Sequence, residues 1–158
     1  MKYLALSLFL VLFLTSCKNQ IAEMERKAGG PIKSFNVISM ELNSAEQCAE
    51  RGEFDNAEIY INKALKQDSD SIKPLILRAR IKAARGKTKE ALQDINLALK
   101  KDDKSVPALA TRSAILCKEG SYEEALKDAS EAVKLNPKDA FAYLNRSVVH
   151  GKMKNYDQ

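Results

Sequence analysis

From residue 38 onward the apolar positions fall into two alternating kinds of run. In one kind, Ala57, Ile61, Ala64 and Leu65 lie at i, i+4, i+7 and i+8, the spacing of one buried helix face. The stripe returns 34 residues later as Ala91, Ile95, Ala98 and Leu99, and again as Ala125, Ala129, Ala132 and Val133. Its small residues predict a face that a paired helix approaches closely. The run before each stripe is punctuated at both ends. Ser71, Ser105 and Asp139 stand where helix N-caps are expected. Pro74 and Pro107 fall in the following first turn, where a missing N–H does little harm. Gly52, Gly86 and Gly120 stop the run, because a left-handed residue there is free of steric cost only for glycine. Ser121 and Glu124 have the spacing of a capping box at the start of the third stripe. The pattern predicts two-helix units at 38–71, 72–105 and 106–139, with a cut-off fourth at 140–158. One such hairpin cannot bury its apolar face alone, so the units must stack.

The 34-residue period, the glycine, aromatic and alanine of GEFDNA and GSYEEA, and the closing LNP resemble the tetratricopeptide repeat. The resemblance implies an all-α fold, a right-handed superhelical solenoid of antiparallel helix pairs with three full repeats and a truncated fourth. The chain departs from the pattern in places. The family's large first-helix residue is Leu75, Leu109 or Tyr143 in three units but Glu41 in the first, where it is expected to face solvent or cap the array. Thr88 replaces the aromatic of the second unit, and Lys154 the glycine of the fourth. Phe54, Thr88, Tyr122 and Tyr156 share one slot, so the closing KNYDQ reads as the start of a second helix and the sequence as part of a longer protein.

Residues 1–16 break with the helical pattern: Lys2 leads an almost wholly apolar stretch that ends in small residues. This is the layout of a secretory signal, and it falls short of the ~20 residues of a membrane span. Leu14-Thr15-Ser16-Cys17 resembles the lipobox of bacterial lipoproteins. That resemblance implies removal of residues 1–16 and acylation of Cys17. With Lys18 next in line, it implies sorting to the outer membrane, on the periplasmic face of the bacterial cell envelope. Residues 17–37, broken by Gly29-Gly30-Pro31, read as a flexible tether that would span about 25 Å. The repeat domain follows at 38–158.

Composition then narrows the chemistry. With 30% charged residues, six glycines and four prolines, the chain has the balance of a helical protein. The net charge is +5, and residues 71–89 hold seven Lys or Arg and no acid. Such a stretch attracts acidic peptides or anionic lipid, or is a solvated face with snorkelling stems; nucleic acid is not expected in the envelope. Cys48 and Cys117 lie in first helices two units apart, too distant to pair. The single histidine, His150, holds the slot of Cys48, Lys82 and Leu116 and reads as a packing residue. No HExxH, CxxC, GxSxG or glycine-rich phosphate loop occurs, so no catalytic residue, metal ligand or cofactor is assigned and the chain is not expected to be an enzyme. Arg78 and Arg112 recur together with Asp94 and Asp128, and both types are missing from the first unit, which has Ser44 and Tyr60. Co-occurrence predicts a structural Arg–Asp pair inside each unit. The other reading pairs Asp94 with Arg112 and Asp128 with Arg146 across units.

In tetratricopeptide proteins the first helices line a concave groove that holds a partner's peptide or helix. Carried over by position, the resemblance implies a groove formed by Leu42, Glu46, Lys73, Ile76, Arg80, Ala110, Ala114, Phe141, Leu144 and Val148. These positions are expected to be spare, on faces not needed for stacking. Segment 21–35 of the tether is a competing occupant. The lysine, asparagine and arginine clamp by which some relatives hold a C-terminal carboxylate is absent. The expected function is a membrane-anchored scaffold or adaptor that binds another protein. The alternatives are the docking part of a larger enzyme continuing past Gln158, or a secretion or pilus assembly lipoprotein.

Overall fold

The computed structural model describes residues 33–156, with side chains from 37 to 154. The signal, the lipobox with Cys17 and the tether as far as residue 32 lie outside the described residues. Among the described residues seven helices follow one another: α1 Lys33–Glu50, α2 Phe54–Gln67, α3 Ile72–Ala84, α4 Thr88–Lys101, α5 Val106–Glu119, α6 Tyr122–Leu135 and α7 Ala140–Tyr156. No strand occurs among the described residues. The chain divides into two units, 1–39 and 40–158, and the second holds the repeats. Residues 33–37, read as the end of the tether, belong to α1.

Helices pair as the stripes require. All nine alanines and isoleucines at the first three stripe positions, from Ala57 to Ala132, are fully buried. In the preceding helices the small residues Ala45, Ala79 and Ser113 share a slot and are equally buried. In the third unit the contact is close enough that the Ser113 hydroxyl donates to the Ala125 carbonyl at 2.8 Å. Beyond the hairpins, α3 packs on α5 and α5 on α7, so the first helices run side by side.

Each hairpin turn is closed the same way. Gly52, Gly86 and Gly120 have φ of +77°, +78° and +93°, and a Cβ there would meet nothing within 4 Å. Backbone conformation, not crowding, therefore demands glycine. The N–H groups of Glu53, Lys87 and Ser121 donate back to the carbonyls of Cys48, Lys82 and Leu116 at 2.8, 2.9 and 3.0 Å, the long bond of a Schellman cap. This explains why the expected capping box at Ser121 does not form. Its N–H is already committed to Leu116, and its ψ of 67° lies outside the extended region that lets a capping side chain reach forward. Ser71 and Ser105 occupy their N-cap positions without a side-chain bond. Asp139 does cap: the N–H groups of Phe141 and Ala142 donate to its Oδ1 at 2.9 and 3.1 Å.

Of the two expectations for Glu41, the solvent-facing one is corrected: it occupies the slot of Leu75 and Leu109, is half-buried, and keeps a buried Oε2 with no hydrogen-bond partner among the described residues. His150 corrects the packing expectation: it is exposed, because no described second helix covers its side of α7. Cys48 and Cys117 are free thiols. Burial pushes the Cys117 thiol up against an opposing pull from Lys152.

The arginine pairs form within units. Arg78 donates from Nε and Nη2 to both Asp94 oxygens at 2.8 and 2.7 Å, and Arg112 to Asp128 at 2.6 and 2.8 Å. Among the described residues Asp94 does not pair with Arg112, nor Asp128 with Arg146. The third prong crosses instead, with Nη1 of Arg78 and Arg112 donating to Asn62 and Asn96 of the preceding unit at 3.0 and 2.9 Å. Arg146 lies over the Tyr143 ring, 5.1 Å from its centroid. Asp94 also receives Lys82 Nζ at 2.9 Å. Burial pushes the Asp94 carboxyl up, but the bonds from Arg78 and Lys82 outweigh it and hold the group below the ordinary carboxylate range.

Replacing Asp94 or Asp128 with asparagine, or Arg78 or Arg112 with glutamine, should each cost about 1–3 kcal/mol in urea unfolding. Replacing both members of a pair should cost less than the sum, and strict additivity for both pairs would refute the assignment. Because the folded-state value of Asp94 is depressed, its contribution is complete above the unfolded value of about 3.9 and is lost as pH falls through the lower folded one. The urea midpoint should accordingly drop less below about pH 4 in Asp94→Asn than in the parent chain.

Candidate functional site: the face of the first helices

The surface left by side-by-side first helices is a row of open hollows. Between α1 and α3 lies one of about 370 Å3, lined by Glu46, Ala49, Glu50, Phe54, Arg80 and Ala84. A second, of about 310 Å3, takes Arg80, Ala83, Ala84, Thr111, Ala114, Lys118 and Phe141. A third, of about 360 Å3, takes Ala114, Cys117, Lys118, Tyr122, Asn145, Val148 and Lys152. Toward the other end of the helices, Leu42, Glu46, Lys73, Ile76, Arg80 and Pro107 enclose about 270 Å3. Consecutive hollows adjoin: the first two share Arg80 and Ala84 in their lining, the second and third Ala114 and Lys118.

The structure divides the expected groove residues. Glu46, Lys73, Arg80, Ala114, Phe141 and Val148 are exposed and Leu42 is half-buried. Ile76 and Ala110 are not spare: both are buried, Ile76 within the main core cluster. They hold one slot, and that slot is where one first helix meets the next. Asn145 of α7 donates from Nδ2 to the Ala110 carbonyl at 3.1 Å across this contact. Leu144 occupies the same slot and is 59% exposed, since no described helix packs on that side of α7. Tyr143, in the slot of the buried Leu75 and Leu109, is uncovered for the same reason.

Sequence reasoning missed one row of lining residues. Glu50, Ala84, Lys118 and Lys152 recur with the period, each four residues after Glu46, Arg80, Ala114 or Val148. The i, i+4 relation on a helix face was the signal that could have found them. Lys118 also ties the row together, donating from Nζ to the Ala83 carbonyl at 3.0 Å.

The basic stretch at 71–89 is not uniform. Arg78 and Lys82 bind Asp94, and Arg85 binds Asp55 at 2.8 Å and Glu58 at 3.4 Å. Lys73, Arg80, Lys87 and Lys89 are exposed and make no ion pair among the described residues. Among the described residues no group of three or more His, Cys, Asp or Glu is placed to hold a metal ion. No described helix is long and apolar enough to cross a membrane.

Solved structures place this architecture. The first TPR domain of the human RPAP3 protein superposes with a TM-score of 0.70 at 20% identity, over 77% of this chain and 95% of that one. The first TPR of Spaghetti (RPAP3), bound to the HSP90 peptide SRMEEVD, does so at 0.66 and 20%, over 75% and 94%. A tetratricopeptide repeat protein from Parabacteroides merdae matches at 0.64 and 25%, over 91% of this chain and 55% of its own length. No protein-family profile and no curated protein matches the chain. The fold is that of a tetratricopeptide-repeat domain, a helical solenoid.

The division into buried and open slots is testable by stability. Ile76→Asp should cost more than about 2 kcal/mol in urea unfolding, because it puts a charge among apolar neighbours. Ala114→Asp should cost under about 1 kcal/mol, mostly helix propensity. Equal losses would mean that the two slots are not distinct.

Proposed function

We propose that this protein is a membrane-anchored scaffold or adaptor of the bacterial cell envelope, which holds a peptide or helix of another protein on the face of α1, α3, α5 and α7 and catalyses no reaction. The observation that carries the reading is the row of adjoining hollows, lined at the Arg80 and Ala84 slots by residues that stay exposed in the stack. Support comes from the RPAP3 domain, which shares the fold and was solved with a peptide bound. A face of this shape suits an amphipathic segment, with apolar anchors in the hollows and polar groups at the rim. The anchor is assigned to Cys17 from the lipobox-like Leu14-Thr15-Ser16-Cys17. One acyl chain holds a protein to a membrane only marginally, whereas two or more anchor it stably. The fully acylated chain should therefore withstand a salt wash.

Two measurements test the two halves. Metabolic palmitate labelling should mark the parent chain and not Cys17→Ala, and label kept by the variant would remove the anchor. Crosslinking in intact envelopes should capture a partner with the parent chain and lose it with Ala114→Asp, because a charge at the centre of a binding site can cost about 2 kcal/mol or more. A folded Ala114→Asp that keeps every crosslink would show that this face is not the binding surface.

A further inference from the structure

We propose that the hollows of α3, α5 and α7 take an internal acidic segment of the partner, one with a bulky apolar side chain between carboxylates. The proposal rests on the first-helix face being the binding surface and adds the chemistry of what binds there. The two adjoining hollows carry Arg80, Lys118 and Lys152 and no carboxylate. None of these three cations makes an ion pair among the described residues. Cations engaged with the body of the repeats are neutralised instead, Arg78 and Lys82 by Asp94 and Arg112 by Asp128. Lys118 gives one hydrogen bond to the Ala83 carbonyl, which leaves the rest of its ammonium donors for a ligand.

Between the cations the floor is apolar, formed by Ala83, Ala84, Ala114 and the ring of Phe141, which is 51% exposed. A cationic rim around an apolar floor is complementary to an apolar side chain flanked by negative charge. The cations are spread one to a helix along the row, so they fit successive carboxylates of a continuous segment and require no free chain terminus. The positive character stops at α1, where Glu46 and Glu50 line the neighbouring hollow together with Arg80. The acidic part of the segment thus lies over α3 to α7.

Fluorescence anisotropy on the full chain tests this with a labelled, C-terminally amidated peptide, GEELFEELG, and two controls. One control has lysine for every glutamate, the other serine for every leucine and phenylalanine. The acidic apolar peptide should bind at least about tenfold more tightly than either control. Arg80→Glu/Lys118→Glu should weaken it by about tenfold or more. Lys87→Glu/Lys89→Glu, the same change of charge at exposed positions outside the hollows, should leave it within about twofold. Equal binding of the three peptides, preference for the lysine peptide, or equal losses in the two double variants would overturn the proposal. So would binding of the parent chain to phosphatidylglycerol vesicles, lost in Arg80→Glu/Lys118→Glu, without binding of the peptide. If the peptides fail to discriminate while Ala114→Asp still abolishes envelope crosslinks, the face binds a partner of other chemistry. If Ala114→Asp keeps the crosslinks, the binding surface itself is wrong.

Discussion

The close approach of the two helices in each unit, with Ala45 and Ala57, Ala79 and Ala91, and Ser113 and Ala125 fully buried between them, is the constraint on which the rest of the stack depends. With nothing larger than a hydroxymethyl group on either side, the two helices of a unit come together closely enough for a side chain of one to bond the backbone of the other. Longer residues there would separate the pair and change the angle at which each hairpin presents its outer faces to the next. The isoleucines and leucines of the stripes then find partners in both directions, and one continuous cluster runs from Leu75 to Ala142. A unit removed from the array would expose the apolar surface it buries against its neighbours, which is why stability belongs to the stack rather than to any hairpin.

Apolar packing of this kind is tolerant of sliding, and the arginines oppose it. Each bidentate pair fixes the first helix against the second of its own unit, while the remaining prong reaches an asparagine of the unit before. Exposed ion pairs contribute little, but a planar fork held on both sides in a half-buried setting is geometrically demanding as well as strong. One guanidinium therefore reports on two interfaces at once. The first unit lacks both partners of such a pair, having Ser44 and Tyr60, and its inward Glu41 has an oxygen without a bond. It is the least determined part of the repeat array.

Much of this was legible in the residues, and what was not has identifiable causes. Period, helix order, turn glycines and the Arg–Asp partners follow from local spacing, since each involves neighbours in one hairpin. Asn62 and Asn96 recur with the same period, yet only the packing of successive units shows that an arginine points at them. The caps at Ser71, Ser105 and Ser121 were read from residue type, and at Ser121 the preceding helix had already claimed the backbone donor. The face of the first helices was read from position, which treats every slot in a helix as equivalent. Ile76 and Ala110 show that it is not: the slot carrying them turns toward the neighbouring first helix, and four residues on from Arg80 and Ala114 the chain offers Ala84 and Lys118 instead.

That turn has a consequence for how such a face acquires specificity. A slot committed to helix–helix contact must stay apolar and small or branched, as Ile76 and Ala110 are, so it is closed to variation in charge. The slots of Arg80 and Ala84 are exposed, with one hydrogen bond from Lys118 to the Ala83 carbonyl across helices, and here they hold Glu46 and Glu50 on α1, Arg80 and Ala84 on α3, Ala114 and Lys118 on α5, and Val148 and Lys152 on α7. Charge thus changes sign along the row without any cost to the core. Because the field of a surface acts on encounter and orientation more than on raw affinity, such a gradient selects the direction in which an extended partner lies. On the proposed function the apolar lining of the hollows supplies the anchoring, and the two tasks fall on different positions of the same four helices.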